Sequence, residues 1–149
     1  MKSPCRLSPG AAPFVPPIPG YDLPNVFVLR TIPDVDAIKT AIDSGHPRQA
    51  VIVGGGFIGV ELAENLHGRR IEVTLVEMMN QILAPIDYEM AAMVHEHLEH
   101  MGIELALGDG LKAIERENDR LVVELASGRR AHADLVILAI GIRPENEIA

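Results

Sequence analysis

The stretch Val51-Ile-Val-Gly-Gly-Gly-Phe-Ile-Gly-Val-Glu61, followed by Val73-Thr-Leu-Val-Glu77, constrains this chain more than any other. An apolar run, a glycine cluster, a helical pattern, a second apolar run and a closing acid read as strand, turn, helix and strand. Gly54, Gly56 and Gly59 fill the spacing G-x-G-x-x-G, and each glycine has a separate job. Gly54 permits the tight turn out of the strand, Gly56 leaves room for a pyrophosphate against the backbone, and Gly59 lets the helix pack closely on the sheet. The helix start adds free N–H groups and partial positive charge, which favour an anion. Glu77 stands 18 residues beyond Gly59, where an acid accepts hydrogen bonds from a ribose. The motif in this setting predicts dinucleotide binding by a βαβ unit.

The rest of the composition narrows the class. A length of 149 residues favours one domain with a sizeable core. Aromatic residues make up 3% and Trp is absent, so aliphatic side chains must build that core. A net charge of -8 argues against a nucleic-acid surface. The single cysteine, Cys5, allows no intramolecular disulfide and no cysteine-based metal site. No apolar run is long enough to span a bilayer, and the proline-broken N-terminus is not a signal sequence, so a cytoplasmic location is expected.

Residues 1–24 hold seven of the eleven prolines and read as extended or turn structure rather than a central strand. Val26–Leu29 is a short strand. Thr31-Ile-Pro-Asp34 fits a capping box that opens a helix to about Ser44, with Val35, Ile38 and Ile42 as its apolar stripe. The nucleotide unit follows, with strand 49–53, helix 57–68 and strand 71–77. Asp87 caps a helix to about Met101 whose buried face is Met90, Ala91, Val94, Leu98 and Met101. Strand 103–107 comes next, then short antiparallel strands at 111–117, 120–126 and 129–133, joined by turns at Asn118-Asp119 and Ser127-Gly128. Asp134–Ile140 is continuously apolar, as in a strand buried on both faces. The expected fold is α/β: a Rossmann-like three-layer β/β/α nucleotide-binding fold, its parallel sheet carrying an antiparallel β-meander where a crossover helix is usual.

Leu7-Ser-Pro-Gly-Ala11 with the prolines to Gly20, Gly54-Gly-Gly-Phe-Ile-Gly-Val-Glu61, Pro85-Ile-Asp87 and Asp134-Leu-Val-Ile-Leu-Ala-Ile-Gly-Ile-Arg-Pro144 together resemble one family. It is the FAD-dependent pyridine nucleotide-disulfide oxidoreductases, in the branch of NADH oxidase, NADH peroxidase and coenzyme A-disulfide reductase. The resemblance runs over essentially the whole chain and implies a domain from about the middle of such an enzyme. It implies a connector from an FAD domain at 1–24, an NAD(H)-binding domain at 25–141 and a stub returning to the FAD domain at 142–149. The family's FAD fingerprint, redox cysteine motif and dimerisation domain have no counterpart here, so the resemblance implies a parent homodimer and a domain inactive alone.

The resemblance also assigns roles. The turn from Gly54 through Gly55 and Gly56 to Gly59 holds the NADH pyrophosphate. Phe57 lies between the nicotinamide pocket and the flavin, and Ile58 neighbours the nucleotide. Glu61 reaches the nicotinamide carboxamide, and the backbone at Gly141 passes close to the nicotinamide. Glu77 selects the cofactor, because a carboxylate accepts two ribose hydroxyls and repels a 2′-phosphate. With Met78-Met-Asn-Gln81 offering no cation, NADH is expected over NADPH. No catalytic residue and no metal ligand is expected. His95, His97 and His100 share a helix with Glu96 and Glu99 but do not converge on one face, and are read as a solvated surface. Cys5 lies outside any redox motif.

The expected function is to present nicotinamide to FAD for hydride transfer, with NADH and the FAD domain as partners and neither nucleic acid nor membrane. A stand-alone nucleotide-sensing module is the first alternative. An S-adenosylmethionine-dependent methyltransferase, which also uses a glycine turn and an acid after the second strand, is the second.

Overall fold

Strict alternation in the central strands decides the layering. In β3 (Gln49–Val53), Ala50 and Ile52 join one apolar cluster while Val51 and Val53 join another. β9 (Leu135–Leu138) repeats this, with Leu135 and Ile137 on one side and Val136 and Leu138 on the other. Side chains of a strand point alternately to its two faces, so this sheet is covered on both, as a continuous apolar run requires. The computed structural model describes residues 11–13 and 17–144.

Five parallel strands form that sheet in the order β2 (Val26–Val28), β9, β3, β4 (Glu72–Glu77) and β5 (Glu104–Leu107). One face packs on three helices, α1 (Ile32–Gly45), α2 (Phe57–Gly68) and α3 (Tyr88–Met101), through Ile38, Ala63, Leu66 and Leu98. The other face packs on an antiparallel sheet of β6 (Leu111–Glu117), β7 (Arg120–Leu125) and β8 (Arg130–Ala133), through Ile114, Leu121, Val123 and Leu125. The architecture is therefore the expected three-layer β/β/α fold. Asn118 and Asp119 both take positive φ, 47° and 67°, as a two-residue hairpin turn between β6 and β7 demands.

Local signals account for the element ends. At α1 the N–H of Thr31 donates to Asp34 Oδ2 at 2.6 Å, and the Thr31 hydroxyl donates to the same oxygen at 2.8 Å. Asp87 occupies the N-cap position of α3, although its side chain makes no capping hydrogen bond. The step from β8 into β9 is pinned by Asp134. Its Oδ2 accepts the N–H groups of Arg48 and Gln49 at 2.9 and 3.0 Å, and its Oδ1 accepts Arg120 Nε at 3.2 Å.

Two expectations about buried faces fail. Met90 is 58% exposed and Val35 49% exposed. On α3 the buried positions are Ala91 and Leu98, with Val94 and Met101 partly covered. The proline-rich lead also holds more structure than expected: β1 (Ala11–Pro13) pairs antiparallel with β10 (Ile142–Pro144). Nearer the sheet, the carbonyl of Pro19 accepts the Ile114 N–H at 2.8 Å. Residues 17–24 thus lie against the meander. Cys5 and most of the Leu7–Ala11 motif fall outside the described residues.

Candidate functional site

The glycine turn sits where β3 runs out between its two neighbours. Gly54 has φ 114°, and a Cβ there would stand 2.8 Å from the carbonyl carbon of Ala139, just past β9. Its N–H donates to the Val76 carbonyl of β4 at 2.8 Å. Side chains are thus excluded on the β9 flank while the β4 flank is tied. Gly59, buried in the first turn of α2, leaves no space either, because a Cβ would overlap the Gly54 carbonyl oxygen. Gly56 is the opposite case. It is the N-cap of α2, and a Cβ on it would meet nothing within 4 Å. A position that sterics leave open, ahead of a helix turn whose N–H groups lack helical acceptors, is a cradle for an anion.

Glu77, at the end of β4, closes the other side. Its Oε2 accepts the Gly55 N–H at 2.6 Å and its Oε1 accepts the Met79 N–H at 2.8 Å. Each carboxylate oxygen has a second lone-pair direction left, so hydroxyl donors can still be received. Asp109 comes alongside, with its N–H donating to the Glu77 carbonyl at 3.1 Å. Its carboxyl is held below the usual range by hydrogen bonds from the Ser127 hydroxyl and N–H, outweighing desolvation.

These groups rim a groove of about 480 Å³ at the carboxyl ends of β3, β4 and β9, where open parallel sheets bind ligands. Of the residues singled out from sequence, Gly54, Gly55, Gly56, Glu77 and Gly141 line it. Phe57, Ile58 and Glu61 do not. They stand on the first turns of α2, with Phe57 64% and Ile58 58% exposed, and Glu61 Oε1 accepts the Asn65 side-chain amide at 3.1 Å. Gly59 lies beneath the turn. Sequence reasoning missed Ala84, Pro85, Asp109, Gly110 and Ile18, which also line the groove. Pro85 belonged to a recognised motif, but nothing periodic marks the others.

The histidine helix divides. His97 and His100 are exposed, and His97 Nε2 lies 3.8 Å from a Glu64 carboxylate oxygen. His95 is half-buried, and its Nε2 accepts the Ile82 N–H at 3.2 Å. It is therefore not part of a solvated face. No group of three or more potential metal ligands occurs among the described residues. No helix among them is long and apolar enough to cross a membrane.

Comparison with known proteins gives concordant matches. A NADH oxidase of Methanocaldococcus jannaschii is 39% identical over 96% of this chain and 32% of its own length. The crystal structure of reduced Bacillus anthracis CoADR-RHD is 54% identical, covers 95% of this chain and 25% of that one, and superposes with a TM-score of 0.88. The water-forming NADH oxidase from Lactobacillus brevis bound to NADH is 28% identical over 93% of this chain and 30% of that one, with a TM-score of 0.85. An engineered NADPH oxidase made from it, bound to NADPH, gives the same TM-score at 26% identity and the same coverage. The chain spans well under half of the length of the curated relatives it matches. The family model for pyridine nucleotide-disulphide oxidoreductases matches residues 7–149, and with the parallel sheet, meander crossover and glycine turn described above the chain belongs to that family.

Proposed function

We propose that this chain binds NADH and presents its nicotinamide to FAD in a larger oxidoreductase, the chain itself supplying binding and orientation. The observation that carries the reading is the meeting of Gly56 and Glu77 at one groove. An open backbone position at a helix start and an acid with free lone pairs flank an otherwise largely aliphatic and glycine wall. That pairing suits a pyrophosphate on one side and a ribose on the other.

In this reading Gly54, Gly55 and Gly56 form the pyrophosphate turn and Gly59 keeps α2 against it. Glu77 accepts ribose hydroxyls, and Gly141 lets the backbone approach the nicotinamide. Phe57, apolar and uncovered, lies between the nicotinamide and the flavin, Ile58 neighbours the nucleotide, and Glu61 reaches the carboxamide from the same helix. NADH when bound supplies the hydride and the flavin receives it; the residues of this chain hold the ring in place and add no acid or base. FAD, the redox centre and dimer contacts belong to segments beyond the NAD(H)-binding domain of 25–141, which is reached by the connector 1–24 and left by 142–149. Alone, the chain binds but does not turn over. The antiparallel β6–β8 crossover and the family match count against a methyltransferase.

Selectivity for NADH over NADPH rests on Glu77. In the engineered NADPH oxidase a glycine becomes alanine and, at the spacing that separates Gly59 from Glu77 here, an aspartate becomes alanine, with arginine at the next position. Titration with NADH and then NADPH, followed by nicotinamide fluorescence, tests the proposal. The expected result is saturation with NADH that NADPH does not match, and a preference that Glu77→Arg erodes. No saturation with either cofactor, or equal saturation with both, would overturn it.

A further inference from the structure

The segment after β4, residues 78–86, supplies Met78, Ala84 and Pro85 to the groove. It has no regular secondary structure, so a few hydrogen bonds to the body hold it. The Leu83 N–H donates to the Gly55 carbonyl at 2.7 Å, and the Gly108 N–H donates to the Met79 carbonyl at 2.8 Å. Another runs to α3, where His95 Nε2 accepts the Ile82 N–H at 3.2 Å. Ile82 itself is fully buried, and its Cγ2 packs against Gly55 so closely that a Cβ there would stand 2.9 Å away. One imidazole therefore backs the residue on which the glycine turn rests.

A nitrogen that accepts a hydrogen bond carries no proton, so the contact with Ile82 requires the acceptor form of Nε2 on His95. The Tyr88 ring meets it edge-on at 6.4 Å. From α2, Glu64 approaches His97 instead. Glu99, one turn further along α3, forms no ion pair with it, and the facing segment contributes Gln81, whose amide is taken up by the Ile86 carbonyl. Protonation would set an N–H donor against the Ile82 N–H, and imidazoles commonly take up a proton between about pH 5 and 8.

We propose that His95 is a positioning residue for the nucleotide groove: as an acceptor it fixes Ile82, and with it the segment bearing Met78, Ala84 and Pro85, so that acidification weakens nucleotide binding. The inference rests on the NADH-binding reading above. It is tested on the full chain by NADH titration between about pH 8 and about pH 6, with His95→Gln and His95→Leu beside the unaltered protein. Gln keeps an acceptor that does not titrate, whereas Leu keeps bulk and loses the acceptor. Expected are an affinity that falls roughly fivefold in acid for the unaltered protein, a flat profile for His95→Gln, and a flat, roughly fivefold weaker one for His95→Leu. In parallel, the Ile82 amide resonance of the nucleotide-free protein should shift between about pH 8 and about pH 6, and should stay in place in His95→Gln. Equal pH slopes in the unaltered protein and His95→Gln, or an Ile82 resonance indifferent to His95, overturn the positioning role alone. Failure of the unaltered protein to bind NADH even at about pH 8, with the Ile82 coupling intact, overturns the nucleotide reading and the role with it.

Discussion

The carboxylate of Glu77 accepts the Gly55 N–H at 2.6 Å, so the acid that ends one strand also holds the glycine turn that ends its neighbour. The same side chain braces the turn and lines the groove. Glu77→Ala removes the acceptors for both Gly55 and Met79 and is expected to cost about 1–3 kcal/mol of stability, read by urea unfolding. NADH affinity should fall with it. An unfolding midpoint equal to that of the unaltered protein would show that the brace is not needed.

Gly59 and Gly56 give opposite expectations for the same change. Gly59→Ala drives a methyl into the Gly54 carbonyl oxygen, and about 2 kcal/mol or more of destabilisation should follow. Gly56→Ala meets nothing within 4 Å in the free protein, so its stability should change by less than about 1 kcal/mol. Its NADH affinity should drop by about tenfold or more, because in the proposed binding mode the methyl occupies the space a pyrophosphate would take. Comparing melting with titration for the two variants checks both halves, and a binding-neutral Gly56→Ala would move the pyrophosphate elsewhere.

Gly20 tests whether residues 17–24 belong to the folded body. It has φ 85°, and a Cβ would stand 2.8 Å from the Ile114 carbonyl carbon. Gly20→Ala is therefore expected to destabilise the domain by about 1–3 kcal/mol. A loosely attached lead would tolerate the change with no shift in the urea midpoint.

Acid should act through buttressed carboxylates. Hydrogen bonds from Thr31 hold Asp34 below the usual carboxylate range, and hydrogen bonds from Ser127 do so for Asp109. For Asp134, partial burial pulls upward but is outweighed by the Arg48 and Gln49 N–H groups and by Arg120. A carboxylate lowered in the folded state stabilises the fold above its unfolded value, and that contribution disappears as pH falls through the folded value. Stability should therefore drop from about pH 4 downward, and Asp134→Asn should flatten the decline in urea midpoints. Identical declines would remove Asp134 from the account.

Much of this was legible because it is periodic or steric. The continuous apolar run of 134–140 predicts a strand buried on both faces, the glycine turn marks the start of α2, and Thr31 with Asp34 marks the start of α1. Where reading went astray, residue type was weighed above geometry. At about 100° per residue, position 95 lies only about 40° from Ala91 on α3, while position 90 lies about 100° away. The helix wheel thus puts His95 inward and Met90 at the margin, but a histidine looked like surface and a methionine like core. Ala84, Asp109 and Gly110 escaped for a different reason. They come from irregular segments whose paths are fixed by single backbone bonds, such as Asp109 N–H to the Glu77 carbonyl, and such bonds leave no pattern in the chain.

The pairing of β1 with β10 has a topological consequence. The backbone arrives at the three-layer body and departs from it along neighbouring strands, which lie about 5 Å apart. To whatever chain flanks them, everything between is a single oversized hairpin loop. Such a loop can be lengthened, shortened or exchanged without altering the spacing of the two strands that carry it.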